Sequence, residues 1–373
     1  MNGMYLTLNM KRKLFILASA LLIISAAVSA QREGIYADFK TSKGTFRAVL
    51  FYEMTPVTCA NFIGLAEGTV SNATYPAGQP FYSNSPWHRV VKGHVIQGGA
   101  PAKDSSPQNE DEDVTGYTIP DEITELSHRK AGMLGMAHSG PNTATCQYYV
   151  TLGDRSYLDR IHTVFGEVIS GMDVVNRIEQ GDTTYSITII RVGEKAGKFI
   201  VNQKTFDKLM HRQWKTVTRL EAARVKAEEK FVRVTYDYPF TTTASGLRYA
   251  VIEEGSGEGL QQGATGTFSF TGRTAEQISF SSTSEGKPAQ QDAAMRFVFT
   301  VGSEMLIKGL NEGLAGMKKG ETRLLVIPAS LAYDIQGYYA PNVPGKRRFV
   351  IPPRRMLIIE ARLLETENRS SGN

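Results

Sequence analysis

The chain has 373 residues, of which 41% are hydrophobic and 21% charged, with a formal net charge of +5. That length suits two or three domains of roughly 100–200 residues each, and the apolar and aromatic content excludes a generally disordered chain. The charge is too small for this length to indicate nucleic-acid binding, and the histidines and two cysteines show no metal-ligand spacing, so neither a metal nor a cofactor is expected.

The first 30 residues read as a signal peptide. Lys11, Arg12 and Lys13 form a basic start, Leu14 to Val28 is apolar or small throughout, and Val28-Ser29-Ala30 is a small-residue cleavage site. The apolar run falls short of the ~20 residues that span a bilayer. Cleavage would leave Gln31 first and remove three cations, lowering the net charge from +5 to +2. The expected location is therefore periplasmic or extracellular, with membrane attachment only if the segment stays uncleaved. Export implies an oxidising compartment. Cys59 and Cys146 could form one disulfide, but two buried free thiols are the expected case.

Residues 35–194 read mainly as strands. Tyr36–Phe39 and Thr45–Phe51 alternate around a Ser42-Lys43-Gly44 turn, which predicts a hairpin. Thr55-Pro56 predicts a helix start with Thr55 as N-cap, and Gly68 predicts its end. Residues 69–86 and 100–120 read as loops. Further strands are expected at Gly132–Ala137, Gln147–Leu152, Val164–Ile169 and Ser186–Val192, with a short helix from Met172 to Ile178. Over 199–232, Phe206, Leu209, Met210, Trp214, Val217, Leu220 and Val225 recur at helical spacing, so one or two amphipathic helices connect two domains and offer a possible dimer surface. Residues 245–366 return to strand patterning, with a helix-like stretch from Met305 to Leu314 that contains Gly309 and Gly313.

The chemistry gathers around Trp87 to Gly99, Gly140-Pro141-Asn142-Thr143 and Gln147-Tyr148-Tyr149-Val150. Here there is no nucleophile beside a base and no carboxylate pair. Val95 and Gln97 share one strand face, as do Gln147 and Tyr149. Two amides and the Arg89 fork can hold a peptide backbone over an apolar floor, and an always-charged donor suits polarising an amide rather than abstracting a proton. Taken singly, each residue has an ordinary structural role available. Taken in order with Met136-Ala137, Leu158-Asp159 and His162-Thr163-Val164-Phe165-Gly166, they closely resemble the cyclophilin family of peptidyl-prolyl cis/trans isomerases.

The resemblance covers about residues 35–194 and implies an eight-stranded closed β-barrel with capping helices. By position it makes Arg89 the catalytic residue and gives Gln97 and Gln147 the substrate backbone. Val95, Tyr149 and Leu158 would line a proline pocket, with His162 on its far side and His88, Ala137 and Tyr157 at further pocket positions. Three residues depart from the family pattern: His94 stands where a pocket Phe is common, His138 where Asn is usual, and Tyr157 where a Trp helps bind cyclosporin. A cationic His94 would spoil an apolar pocket, so activity is expected to fall as pH drops through about 6.5.

Phe268-Ser269-Phe270-Thr271-Gly272, Phe280-Ser281-Ser282, Phe297-Val298-Phe299, Leu306-Ile307-Lys308-Gly309-Leu310, Ala332-Tyr333 and Val350-Ile351-Pro352-Pro353 supply aromatic and apolar residues that could be a core alone. Their order resembles the FK506-binding isomerases over about 245–366, which implies an antiparallel sheet wrapped on a short helix. By position, Phe270, Phe280, Phe297, Leu306, Ile307, Leu310, Tyr333, Val350, Ile351 and Ile359 would line the pocket. Ser281 stands where Asp is usual and Leu310 where the floor is often Trp. The loop before Ile351 is longer than in compact members and would offer an edge for clients.

The expectation is thus a mainly β chain of two unrelated prolyl isomerase folds joined by helix, acting on proline-containing polypeptide clients. The rival expectation is a chaperone or scaffold that binds such segments without turnover.

Overall fold

The computed structural model describes residues 32–102, 114–276, 297–304, 306–339 and 349–367. The signal segment, Phe280, Ser281 and Lys346-Arg347-Arg348 lie outside these residues. Val350 is described by its backbone alone.

Strands β1 (Gly34–Thr41) and β2 (Gly44–Leu50) form the expected hairpin. Its alternation buries Ile35, Ala37 and Phe39, and Phe39 stacks on the cross-strand Phe46 with ring centroids 4.4 Å apart. Helix α1 (Pro56–Glu67) follows and ends where Gly68 takes the left-handed conformation. It is buried from Val57 to Ala66.

The expected Thr55 cap is not made, because the Thr55 hydroxyl donates back to the Phe51 carbonyl at 3.2 Å. Glu122 takes that place. Its carboxylate accepts from the Val57 and Thr58 amides at 3.0 and 2.8 Å and from the Thr58 hydroxyl at 2.9 Å. A helix start buried on all sides needs an acceptor for its amides, and a distant carboxylate supplies it.

Next come β3 (Ser85–Pro86), β4 (Arg89–Val91), β5 (Val95–Gly98), β6 (Met133–Met136), β7 (Tyr148–Thr151) and β8 (Val164–Ser170). Helix α2 (Met172–Arg177), β9 (Thr183–Val192) and a single turn α3 (Glu194–Gly197) complete the region. The sheet order is β3-β9-β1-β2-β8-β6-β7-β5-β4, antiparallel throughout. The two outermost members are consecutive in the chain, separated only by Trp87 and His88, so the sheet curls back on itself. The expected count of eight becomes nine because one run is interrupted: Ser85 and Pro86, read above as loop, pair with Thr184 and Thr183 before the chain turns into β4. Inside lie Phe39, Phe62, Tyr82, Trp87 and Tyr148. Cys59 and Cys146 are both buried thiols and do not pair with each other.

Helix α4 (Gln203–Thr235) is one continuous element of 33 residues, opened by a capping box in which Asn202 accepts from the Thr205 amide at 3.0 Å and its own amide donates to the Thr205 hydroxyl at 2.9 Å. Phe206 near its start packs into the first core, against Tyr117. Val232 near its end is buried with Leu324, Val326, Met356 and Ile358. Between them, Leu220 and Val225 are exposed.

The second sheet contains β10 (Thr241–Thr242), β11 (Arg248–Glu253), β12 (Thr265–Thr274), β13 (Phe297–Thr300), β14 (Thr322–Ile327) and β17 (Leu357–Glu367), in the order β10-β11-β14-β17-β12-β13. β15 (Tyr338–Tyr339) and β16 (Phe349–Ile351) pair separately. Helix α5 (Lys308–Leu314) lies on one face, and its two glycines explain how. A Cβ on Gly309 would sit 2.2 Å from Ile327 Cγ2, and one on Gly313 2.7 Å from Leu325 Cδ1. Glycine lets the helix backbone press onto β14. All six β14 residues are buried because both faces are covered: Leu325 and Ile327 join the cluster under α5, while Leu324 and Val326 join the end of α4.

Candidate active site

Cross-strand register builds the first site. Arg89 on β4 stands opposite Gln97 on β5, Gln97 opposite Tyr149 on β7, and Tyr149 opposite Gly135 on β6. Directly opposed residues share a face, so these four form one row across the sheet. Tyr148, one residue from Tyr149, points the other way into the core. Alternation thus splits two adjacent tyrosines between core and site.

A polar line runs along one side of the row. Arg89 Nη1 donates to Gln97 Oε1 at 3.3 Å, and Gln97 Nε2 donates to Gln147 Oε1 at 2.9 Å. Gln97 is 8% exposed, whereas Arg89 faces solvent on its edge strand. The amide of Gln97 therefore holds one guanidinium nitrogen and leaves the remaining donors of Arg89 open to a ligand.

Beside this line lies a small apolar cluster, separate from the main core, of Val95, Tyr149 and Leu158 with Ala137 and Tyr157 packed against it. Tyr157 and Leu158 come from a 3₁₀ turn, Ser156–Leu158. Gly135 is what admits the Tyr149 ring, since a Cβ there would sit 2.3 Å from its Cζ. His94 is placed in the turn into β5 and pairs through Nε2 with the Tyr157 hydroxyl. His138 and His162 stack at 4.1 Å. His138 Nε2 donates to the Ile161 carbonyl at 2.9 Å and His162 Nδ1 to the Met136 carbonyl at 3.1 Å. His162 also meets the Tyr149 ring edge-on at 5.7 Å. His88 is buried next to Arg89 in the chain. Register and these contacts join eleven of the expected residues around the β4-β5-β7 row and the 156–162 turn, while His88 is placed only by its position in the chain.

The inventory from sequence omitted His128. This fully buried imidazole lies under the site, between Tyr149 and Asp159. A buried tyrosine hydroxyl signals that a partner exists. Only the fold says which.

In the second region, Phe270, Leu306, Ile307, Leu310, Tyr333, Ile351 and Ile359 belong to one hydrophobic cluster. Phe297 lies 4.4 Å from Phe270 ring to ring. Phe299, not assigned to the pocket from sequence, joins them at 5.9 Å from Phe297 and 6.1 Å from Phe270. Burial raises the Tyr333 phenol above its ordinary value. Phe280 lies outside the described residues. Among the described residues, no group of three His, Cys, Asp or Glu side chains could hold a metal.

Comparison with known proteins assigns both regions. Residues 36–194 match the family "Cyclophilin type peptidyl-prolyl cis-trans isomerase/CLD" and residues 257–364 match "FKBP-type peptidyl-prolyl cis-trans isomerase". The chain is 36% identical over 154 residues to peptidyl-prolyl cis-trans isomerase CYP18-2 of Arabidopsis thaliana, covering 40% of this chain and 85% of that protein. It is 39% identical over 138 residues to peptidyl-prolyl cis-trans isomerase A of Mycobacterium tuberculosis, covering 36% and 72%. A crystal structure of a cyclophilin type isomerase from Cryptosporidium parvum aligns with a TM-score of 0.36 at 24% identity, covering 42% of this chain and 98% of that one. The chain belongs to the cyclophilin type peptidyl-prolyl cis-trans isomerase family, with an FKBP-type domain following in the same polypeptide.

Proposed function

We propose that this chain is an exported peptidyl-prolyl isomerase that assists protein folding, turning over X–Pro segments mainly at the first site through Arg89. The observation that carries this reading is the Arg89–Gln97–Gln147 line set beside the Val95, Tyr149 and Leu158 pocket. An X–Pro bond resists rotation by ~18–20 kcal/mol because amide resonance must be broken. A proline ring seated in the apolar pocket places its nitrogen near the guanidinium. In the twisted state that nitrogen regains a localised lone pair, and a donated N–H stabilises it more than it stabilises the planar amide. Gln97 fixes the fork, and Gln147 is free to hold the neighbouring backbone. No proton is removed and no covalent intermediate forms.

The basic start, apolar run and small-residue cleavage site over residues 11–30 support export, and would place clients among polypeptides folding outside the cytoplasm. The second region supports a different emphasis. Its pocket candidates are apolar and aromatic apart from the Tyr333 phenol, which suits gripping a proline-containing segment more than polarising it. Two prolyl-recognising modules in one chain raise the local concentration of each for a client held by the other.

The test is a protease-coupled proline-peptide assay on the full chain, with Arg89→Ala and Phe270→Ala as separate variants. Turnover lost with Arg89→Ala and retained with Phe270→Ala supports the division of labour. Undiminished turnover in Arg89→Ala rejects it. Export is checked by secretion of the full-length precursor and sequencing of the recovered N-terminus, expected at Gln31.

A further inference from the structure

Beneath the apolar floor of the first site runs a chain of three hydrogen-bonding side chains. His128 Nδ1 donates to Asp159 Oδ1 at 2.9 Å, and the Tyr149 hydroxyl meets His128 Nε2 at 2.8 Å. Asp159 is itself held: its Oδ1 accepts the His128 amide at 2.7 Å and its Oδ2 the Ser127 hydroxyl at 2.6 Å. The His128 carbonyl accepts the Arg155 amide at 2.7 Å. His128 is 0% exposed, and its ring lies nearly parallel to Tyr149 at 20°.

Donor and acceptor roles follow from the charge on Asp159. A carboxylate only accepts, so Nδ1 carries the proton, Nε2 offers its lone pair, and the Tyr149 O–H donates to it. The phenol oxygen is thereby drawn down, away from the face that meets a ligand. Gly135 leaves the space for this, since a Cβ there would sit 2.4 Å from the hydroxyl.

We propose that His128, oriented by Asp159, is a positioning residue for the isomerase site: it holds the Tyr149 hydroxyl beneath the floor and so keeps the proline pocket apolar. The inference rests on the first site being the isomerase site argued above. A tyrosine released from this bond would turn its oxygen toward the pocket, where a proline ring offers no partner, and proline binding would weaken.

The arrangement also carries a pH dependence. Among the described residues, Asp159 and Tyr149 are the titratable side chains hydrogen-bonded to the His128 ring, from the turn after residue 158 and from β7; Arg155 approaches through its backbone, and Lys130 pairs with Glu167 instead. Burial lowers His128 from the ordinary value of 6.5, against the opposing pull of Asp159. Asp159 lies below its ordinary value, because the hydrogen bonds from Ser127 and His128 outweigh the upward push of its burial. The sign follows. Below about 6.5 the unfolded chain takes up a proton that the folded chain refuses, so the stabilisation from neutral His128 is complete above that value and fades as pH falls below it. Protonated Nε2 becomes a donor and no longer accepts from the Tyr149 O–H.

The test measures kcat and KM on proline peptides with the full chain, from about pH 5 to 8, with Arg89→Ala setting the baseline. At neutral pH, His128→Leu is expected to lower kcat/KM about tenfold, mostly through KM, by removing the Nε2 acceptor that holds the buried hydroxyl. Adding Tyr149→Phe removes that hydroxyl and should restore kcat/KM to within about threefold of wild type, which simple loss of packing would not allow. His128→Gln can still donate to Asp159 and accept from Tyr149 but does not titrate. It should keep the neutral rate and shrink the acid-side fall at least about threefold. A double variant no better than His128→Leu overturns the inference, and so does an acid-side fall unchanged in His128→Gln. If His128→Leu does not fold, the His128→Gln profile alone decides. An Arg89→Ala rate equal to wild type rejects the site assignment instead.

Discussion

The two candidate pockets are built by opposite means. The first is a row of residues fixed by strand register and tied by side-chain hydrogen bonds, Arg89 to Gln97 to Gln147 above and Tyr149 to His128 to Asp159 below. The second is a cluster of aromatic and aliphatic side chains from β12, β13, β17 and α5, held by packing. Hydrogen bonds specify atoms; packing specifies volumes. The first pocket should therefore fail when single polar atoms are removed, and the second when shape is altered.

The largest effect is expected at the first pocket. Arg89→Ala removes the charged donor and should lower its kcat/KM by about 100-fold or more, the scale set by deleting one donor aimed at developing charge. Proline-peptide kinetics check this, and a reduction below about fivefold would erase the proposed contrast. Next is a shape change in the second region. Gly309→Val forces side-chain atoms into Ile327 and should destabilise that sheet by about 1–3 kcal/mol, read as a lower urea midpoint for its transition. The first region's transition should stay in place. Asn202→Ala deletes one half of the α4 capping box and should cost about 1 kcal/mol, visible by thermal unfolding. The smallest effect belongs to His94. Its bond to Tyr157 sets it at the pocket rim, so His94→Phe should change the rate at about pH 5.5 by two- to threefold and leave the rate at about pH 8 unaltered. Identical pH profiles in the two proteins would show that the ring does not reach the bound proline.

The same contrast explains what could be read beforehand. Period-two alternation located the hairpin of β1 and β2, and Gly68 marked the end of α1, because these are local signals. Arg89, Gln97, Gln147 and Tyr149 were recognisable as a set through the order of motifs that resembles the cyclophilin pattern, whereas alternation alone paired only Val95 with Gln97 and Gln147 with Tyr149. Contacts that close over long stretches of chain were not. Glu122 caps α1 from 65 residues away, and His128 reaches Tyr149 across 21 and Asp159 across 31. No local pattern ties such residues together. Thr55 shows the converse failure: a good N-cap residue in the right place turned to a nearer carbonyl. β3 was missed because two residues containing a proline carry no periodicity. Phe280, assigned to the second pocket from sequence, lies outside the described residues.

Helix α4 acts as a spine rather than a spacer. At 1.5 Å per residue its 33 residues measure about 50 Å, and each end is embedded in a different core. Yet its length is not the separation of the two regions, because both lie back along it. Gln213 Nε2 donates to the Asp121 carbonyl at 3.0 Å, and Glu221 pairs with Arg354 at 4.0 Å. The two regions also meet directly: a Cβ on Gly140 would sit 3.3 Å from the Ile335 carbonyl, and His138 and Pro141 line one cavity with Pro352 and Arg354. Swinging the regions apart would therefore mean breaking these contacts along the spine.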